Sequence, residues 1–150
     1  MIRKADINDL DTITLLASSL WRDCPLSELK DEFSSVVSDD DCACFIKCVD
    51  GKAVGFAQCG LRRDYVEGTA SSPVGYLEGI FIEKPYRRTG FAKELLKACE
   101  NWAKAKGCRE FASDCELTNN DSIAFHLNSG FKEANRIVCF TKKLQPGTQN

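Results

Sequence analysis

Tyr86-Arg87-Arg88-Thr89-Gly90-Phe91-Ala92 is a basic turn containing one glycine, set between an apolar run and an amphipathic segment. The run before it, Gly75 to Ile82, predicts a buried strand. The segment after it, Phe91 to Lys106, carries Phe91, Leu95, Cys99, Trp102 and Ala103 at helical spacing and stops at Gly107. A helix entered through such a turn aims unpaired backbone N–H groups and its positive dipole end at one point. Phosphate oxygens suit that point. Gly90, without a Cβ, lets backbone approach closely, and Arg87 and Arg88 add charge.

Working outward, Met1 to Ala5 predicts a first strand, and Asp6 or Asn8 can cap a helix whose apolar residues are Leu10, Ile13, Leu15, Leu16 and Leu20. Trp21 ends it and Pro25 breaks the chain. Ser27, Leu29, Phe33, Val36 and Val37 suggest a second helix, running to the acidic turn Ser38 to Asp41. Cys42 to Val49, Asp50-Gly51-Lys52 and Ala53 to Leu61 read as strand, turn and returning antiparallel strand. Arg62 to Pro73 is a long loop. Simple alternation over Val74 to Ile82 puts Tyr76, Glu78, Ile80 and Ile82 on one face and Leu77, Gly79 and Phe81 on the other. A carboxylate at Glu78 is out of place in such a strand.

Beyond the main helix, Cys108 to Ser113 predicts a strand with Asp114 just past its end. Asn119 to Ser122 offers caps for a helix over Ile123 to Ser129, closed by Gly130. Lys132 to Leu144 alternates as a final strand pair, and Gln145 to Asn150 reads as a disordered tail. The order β-α-α-β-β-β-α-β-α-β-(β) is that of an α/β (α+β) chain with one central sheet and helices on its faces. Residues 1–144 are expected to form one domain. Neither G-x-G-x-x-G nor a Walker A motif is present.

The chain has 150 residues, enough for a full core without disulfides or metals. With 20 Lys+Arg against 22 Asp+Glu the formal charge is -2, which argues against nucleic acid as a partner and leaves a small polycation open. No apolar run approaches the roughly 20 residues that cross a bilayer, and no signal peptide opens the chain, so a cytoplasmic protein without a membrane partner is expected. Nine cysteines, an odd number without C-x-x-C, read as reduced thiols. With His126 the only histidine, no metal site is expected.

Arg87 to Ala92 matches the R/Q-x-x-G-x-G/A signature of the GCN5-related N-acetyltransferases. Leu77-Glu78-Gly79-Ile80-Phe81-Ile82 before it, and Asn119, Ala124 and Gly130-Phe131 after it, extend the likeness over nearly the whole chain. Arg62 to Gly68, Ser71 to Val74, Leu77 to Phe81 and Gly107 to Asp114 further resemble the aminoglycoside 6'-N-acetyltransferases.

The resemblance implies a mixed, mostly antiparallel sheet of about six or seven strands, acetyl-CoA as donor and no metal. It implies an aminoglycoside amine as acceptor, drug resistance as the consequence, and a homodimer in which the last strands can be exchanged. The donor would lie along Ile80, Phe81 and Ile82, its pyrophosphate at Arg87, Arg88, Thr89, Gly90, Phe91, Ala92 and Lys93, with Asn119 near its arm. Glu78 and Asp114 are the candidate acceptor-binding and proton-accepting carboxylates, and Trp21 and Tyr65 the candidate pocket walls. His126 stands where many relatives have a tyrosine that can protonate the leaving thiolate. Asn135 stands where some have an acidic acceptor contact. Blander readings stay open: Glu78 paired with a nearby arginine, Asp114 or Asn119 as a cap, Trp21 and Tyr65 as packing, His126 on a helix surface. The alternative functions are acetylation of a polyamine, peptide or protein amine, and a CoA-binding regulatory module without turnover.

Overall fold

The computed structural model describes residues 1–147. Its elements are β1 (Ile2–Lys4), α1 (Leu10–Leu20), α2 (Leu26–Ser38), β2 (Cys42–Val49), β3 (Lys52–Arg62), β4 (Val74–Ile82), α3 (Phe91–Ala105), β5 (Phe111–Ser113) and α4 (Asn120–Asn128), with short 3-10 turns at Ile7–Asp9 and Lys84–Tyr86. The sheet order is β1-β2-β3-β4-β5. Neighbours are antiparallel except β4 and β5, which run parallel because α3 carries the chain back between them.

Strand alternation sends Cys44, Ile46 and Phe56 to one face, where they meet Ile13, Leu16 and Ala17 of α1 and Leu29, Phe33 and Val36 of α2. Phe33 meets Phe56 edge-on, with centroids 5.8 Å apart. Ala43, Ala57, Cys59, Leu77 and Ile82 take the other face and pack on Leu95, Leu96 and Cys99 of α3. The sheet is therefore covered on both sides.

The entry to α1 is pinned by charge. The Asp6 carboxylate accepts from Asn8 N at 2.8 Å, and the Asp9 carboxylate accepts from Asp6 N at 2.9 Å and from both Arg3 Nη atoms at 2.7 and 2.8 Å. Those guanidinium bonds hold the largely buried Asp9 carboxyl below its ordinary range. Asp9→Asn should lower unfolding free energy by about 1–3 kcal/mol at pH 7. Because the folded-state pKa is depressed, this contribution is present above the unfolded value near 3.8 and is lost as pH falls through the folded one. Urea titrations of both proteins at pH 7 and below pH 4 check this, and an equal gap at the two pH values rejects it.

Three sequence expectations change. Gln58 pairs with Gly79 and Cys59 with Leu77, so Glu78 is the extra residue of a β-bulge. The alternation expected across β4 therefore breaks there: Leu77, Ile80 and Ile82 all pack with the α3 cluster, while Phe81 joins the α1/α2 cluster. The strand expected over Cys108 to Ser113 pairs only from Phe111. Finally, the strand pair expected over Lys132 to Leu144 is not formed among the described residues, and the sheet has five strands rather than six or seven. Those residues are exposed, and an alternating segment makes a strand only against an edge it can pair with. The expected tail, 145–150, lies partly outside the described residues.

Candidate active site

The turn before α3 is built to leave donors unpaired. Arg87 Nε donates to Ile82 O at 2.8 Å and its guanidinium sits 5.5 Å from the Phe81 ring centre, so Arg87 closes the end of β4. Thr89 Oγ1 donates to Tyr86 O at 2.6 Å. Arg88 and Gly90 both take left-handed backbone, with φ of 63° and 86°. No side chain caps α3, and among the described residues no protein group accepts from the N–H groups of Arg88 to Lys93. Arg88 and Lys93 are exposed beside them. Lys47, nearly buried on β2, grips the first helical turn: its Nζ lies 2.6 Å from Glu94 Oε2 and 4.2 Å from the Phe91 ring centre. A fixed row of free N–H groups flanked by cations is an anion site.

Next to it the sheet opens. β5 pairs with β4 only at Gly75, Tyr76 and Leu77, whereas β4 continues to Ile82. From Glu78 to Ile82 the β5-facing edge of β4 has no strand against it among the described residues, and extended amide-bearing chains can hydrogen-bond there. Ile80 and Phe81 are half-buried and Ile82 buried along this edge.

A cleft of about 610 Å³ lies on the α1/α2 side, lined among others by Trp21, Glu32, Gln58, Arg62 and Glu78. Trp21 packs on Phe33 and Phe56 from its inner end. Its ring lies so close to Gly79 that a Cβ there would come within 2.6 Å, and this fit makes glycine necessary beside the bulge. Glu78 is exposed and accepts from Arg62 Nη2 at 3.0 and 3.1 Å. Arg62 stacks on Tyr76, its Cζ 3.4 Å from the ring centre, and the Tyr76 hydroxyl donates to Asp114 Oδ2. Burial, reinforced by Asp114, pushes the Tyr76 phenol above its ordinary range, so Tyr76 stays the donor. Glu78 and Asp114 are thus joined through Arg62 and Tyr76.

His126 is engaged on both sides. Its Nδ1 lies 2.7 Å from Ser122 O, which can only accept, so Nδ1 carries a proton. Nε2 lies 2.8 Å from Ser113 Oγ, whose single hydroxyl proton can go to it in the neutral ring or to Leu77 O at 3.3 Å. Asn119 Oδ1 accepts from Ser122 N at 3.1 Å and caps α4. Tyr65 is 76% exposed and does not line the cleft. Asn135 Nδ2 donates to Glu67 Oε1 at 3.3 Å, tying the C-terminal segment to the loop before β4. Trp21 and Glu78 therefore share a cleft, Asp114 reaches it through Tyr76, and Tyr65 and Asn135 stand apart. Glu78 does pair with an arginine, as the blander reading allowed, but sequence reasoning did not single out Arg62 as that partner and passed over Tyr76 and Ser113. Their partners are distant in sequence, and no local pattern marks them.

The Acetyltransferase (GNAT) family profile matches residues 7–131. An aminoglycoside N(6')-acetyltransferase type 1 of Stenotrophomonas maltophilia is 40% identical over 148 residues, covering 97% of this chain and 94% of that protein. One of the same name from Salmonella typhimurium is 39% identical, with 95% and 98% covered. Among solved structures, AAC(6')-Iy in complex with the bisubstrate analogue CoA-S-monomethyl-acetylneamine superposes with a TM-score of 0.92 at 38% identity, over 96% of this chain and 98% of that one. With its anion-binding turn, its splayed strands and this likeness along almost its whole length, the chain belongs to the GNAT family of acetyltransferases.

Proposed function

We propose that this acetyltransferase passes the acetyl group of acetyl-CoA directly to the 6'-amine of an aminoglycoside in a ternary complex, and that aminoglycoside resistance follows. The observation that carries the reading is a carboxylate, Glu78, raised by a β-bulge into a cleft beside the open edge of β4. The names and extent of the relatives support the substrate class.

The unpaired N–H groups of Arg88 to Lys93, with the Arg88 and Lys93 side chains, fit the pyrophosphate of coenzyme A. Arg87 serves them by holding the turn to Ile82. Backbone groups of Ile80, Phe81 and Ile82 hold the donor's arm, and a free N–H there polarises the thioester carbonyl that acetyl-CoA supplies. Glu78 attracts the acceptor ammonium and takes its proton, directly or through water. Asp114, behind Tyr76 and Arg62, adds negative charge near the cleft and Trp21 walls it, while Tyr65 and Asn135, which stand apart from it, are assigned to the acceptor by the likeness to the aminoglycoside acetyltransferases alone. His126, once protonated, donates toward the departing thiolate through Ser113. Asn119 holds the α4 end near the donor's arm.

Direct transfer agrees with two of the three thiols that line the cleft, those of Cys42 and Cys24. Burial, with Asp39 beside it, pushes Cys42 up to about 11, and burial and then Glu28 raise Cys24. Both are thiols at neutral pH and poor nucleophiles.

Residues 1–144 act as the single domain of a cytoplasmic enzyme; no helix among the described residues is long and apolar enough to cross a membrane. A homodimer is supported by Ile137, Val138, Phe140 and Leu144, all more than 70% exposed on an alternating segment that has no strand partner among the described residues. Sedimentation equilibrium should return twice the 16.7 kDa chain mass, and a single-chain mass rejects the dimer.

Free-thiol release from acetyl-CoA with a panel of amines tests the whole reading. Release with 6'-amino aminoglycosides is expected. Release with polyamines or peptides alone overturns the substrate, and tight CoA binding without release for any amine overturns the enzyme reading.

A further inference from the structure

Arg62 is the last residue of β3, and its guanidinium lies on the Tyr76 ring while one nitrogen serves both Glu78 oxygens. The ring beneath it donates to Asp114. One guanidinium thus sits between the two carboxylates assigned to the acceptor. It occupies the place where a substrate ammonium gains most, at Glu78 beside the open edge of β4.

The pair is half-exposed, with side chains 43% and 34% accessible, and such pairs hold weakly in water. The stack on Tyr76 is separate from the ion pair, so breaking the second need not disturb the first. Facing the cleft are Glu32 and Glu78 on the acidic side and Arg62, the one cationic lining residue among those described. While Arg62 is bound to Glu78 the cleft is partly neutralised.

From this geometry we propose that Arg62 is the resident counter-cation of the acceptor site: it neutralises Glu78 in the free enzyme, and an acceptor ammonium binds by displacing it while the Tyr76 ring retains the guanidinium. The proposal rests on the reading that the acceptor is an amine held at Glu78. It makes Arg62 a specificity-determining residue. A monoamine must compete for Glu78 with a tethered cation, whereas a polycation recovers the loss at Glu32.

The test compares wild type, Arg62→Gln and Arg62→Lys with neamine and with a monoamine acceptor, measuring kcat and KM separately. The expected result for Arg62→Gln is a neamine KM lower by roughly twofold to fivefold and a raised kcat/KM, with a larger gain for the monoamine; Arg62→Lys, which keeps the charge, should stay near wild type. A fall in kcat/KM in Arg62→Gln makes Arg62 a positioning residue for Glu78 and overturns the proposal. A second measurement needs neither turnover nor a variant that folds. In wild type, the Arg62 Nε–Hε NMR signal should shift toward that of free arginine as neamine saturates the protein, and an unmoved signal overturns displacement. Absence of thiol release with neamine defeats the aminoglycoside reading by itself, while this signal still decides the role of Arg62.

Discussion

Glu78→Gln should bind CoA as wild type does and lose about 10²-fold or more in kcat/KM for an aminoglycoside acceptor, the scale of a missing general base. The amide is isosteric, so the bulge and the Trp21 contact with Gly79 are kept, and what disappears is a negative charge that attracts an ammonium and takes its proton. Arg62 then stands without its counter-ion in the same cleft and repels the acceptor as well. Asp114→Asn should weaken acceptor use less, because an amide oxygen still accepts from Tyr76. Steady-state kinetics with each substrate varied, together with calorimetric CoA binding, separates these effects. If Glu78→Gln loses CoA affinity instead, the residue belongs to the donor side and the proposed acceptor site is misassigned.

Gly90→Val should raise the KM for acetyl-CoA by roughly 10- to 100-fold while leaving the melting temperature nearly unchanged. A Cβ at Gly90 would meet nothing within 4 Å, so the substitution creates no clash. The φ of 86° is another matter, since a β-branched residue there carries about 1–3 kcal/mol of strain. The turn relieves it by rotating, and the N–H groups from Arg88 to Lys93 no longer converge. An unchanged acetyl-CoA KM would remove this turn from the donor site.

Local pattern carried much of the fold. The Cys42 to Leu61 hairpin, the strand Val74 to Ile82 and the long helix from Phe91 lie where spacing and turn chemistry put them, with bounds shifted by a residue or so. The basic turn was legible because its parts are contiguous. The acceptor side was only partly so. Glu78 and Asp114 could be picked out as carboxylates at strand ends, but their partners, Arg62 and Tyr76, lie 16 and 38 residues away. Such pairings depend on which strands lie side by side. The bulge escaped notice because alternation presumes an unbroken ladder. The missing final strands have the opposite cause: the pattern Lys132 to Leu144 is there, but in the described chain these residues lie exposed and pair with no strand of the sheet.

The bulge also separates what keeps this protein folded from what it is proposed to do. Gln58 and Cys59 already have partners in Gly79 and Leu77, so the ladder would close without residue 78. A chain shortened by that one residue would keep the pairings on either side and restore an uninterrupted pleat, at least as comfortable as the natural one. It would also lack the carboxylate in the cleft. Selection for stability alone therefore has no reason to keep this residue, and a design effort that regularises the sheet would erase the chemistry while improving the scaffold.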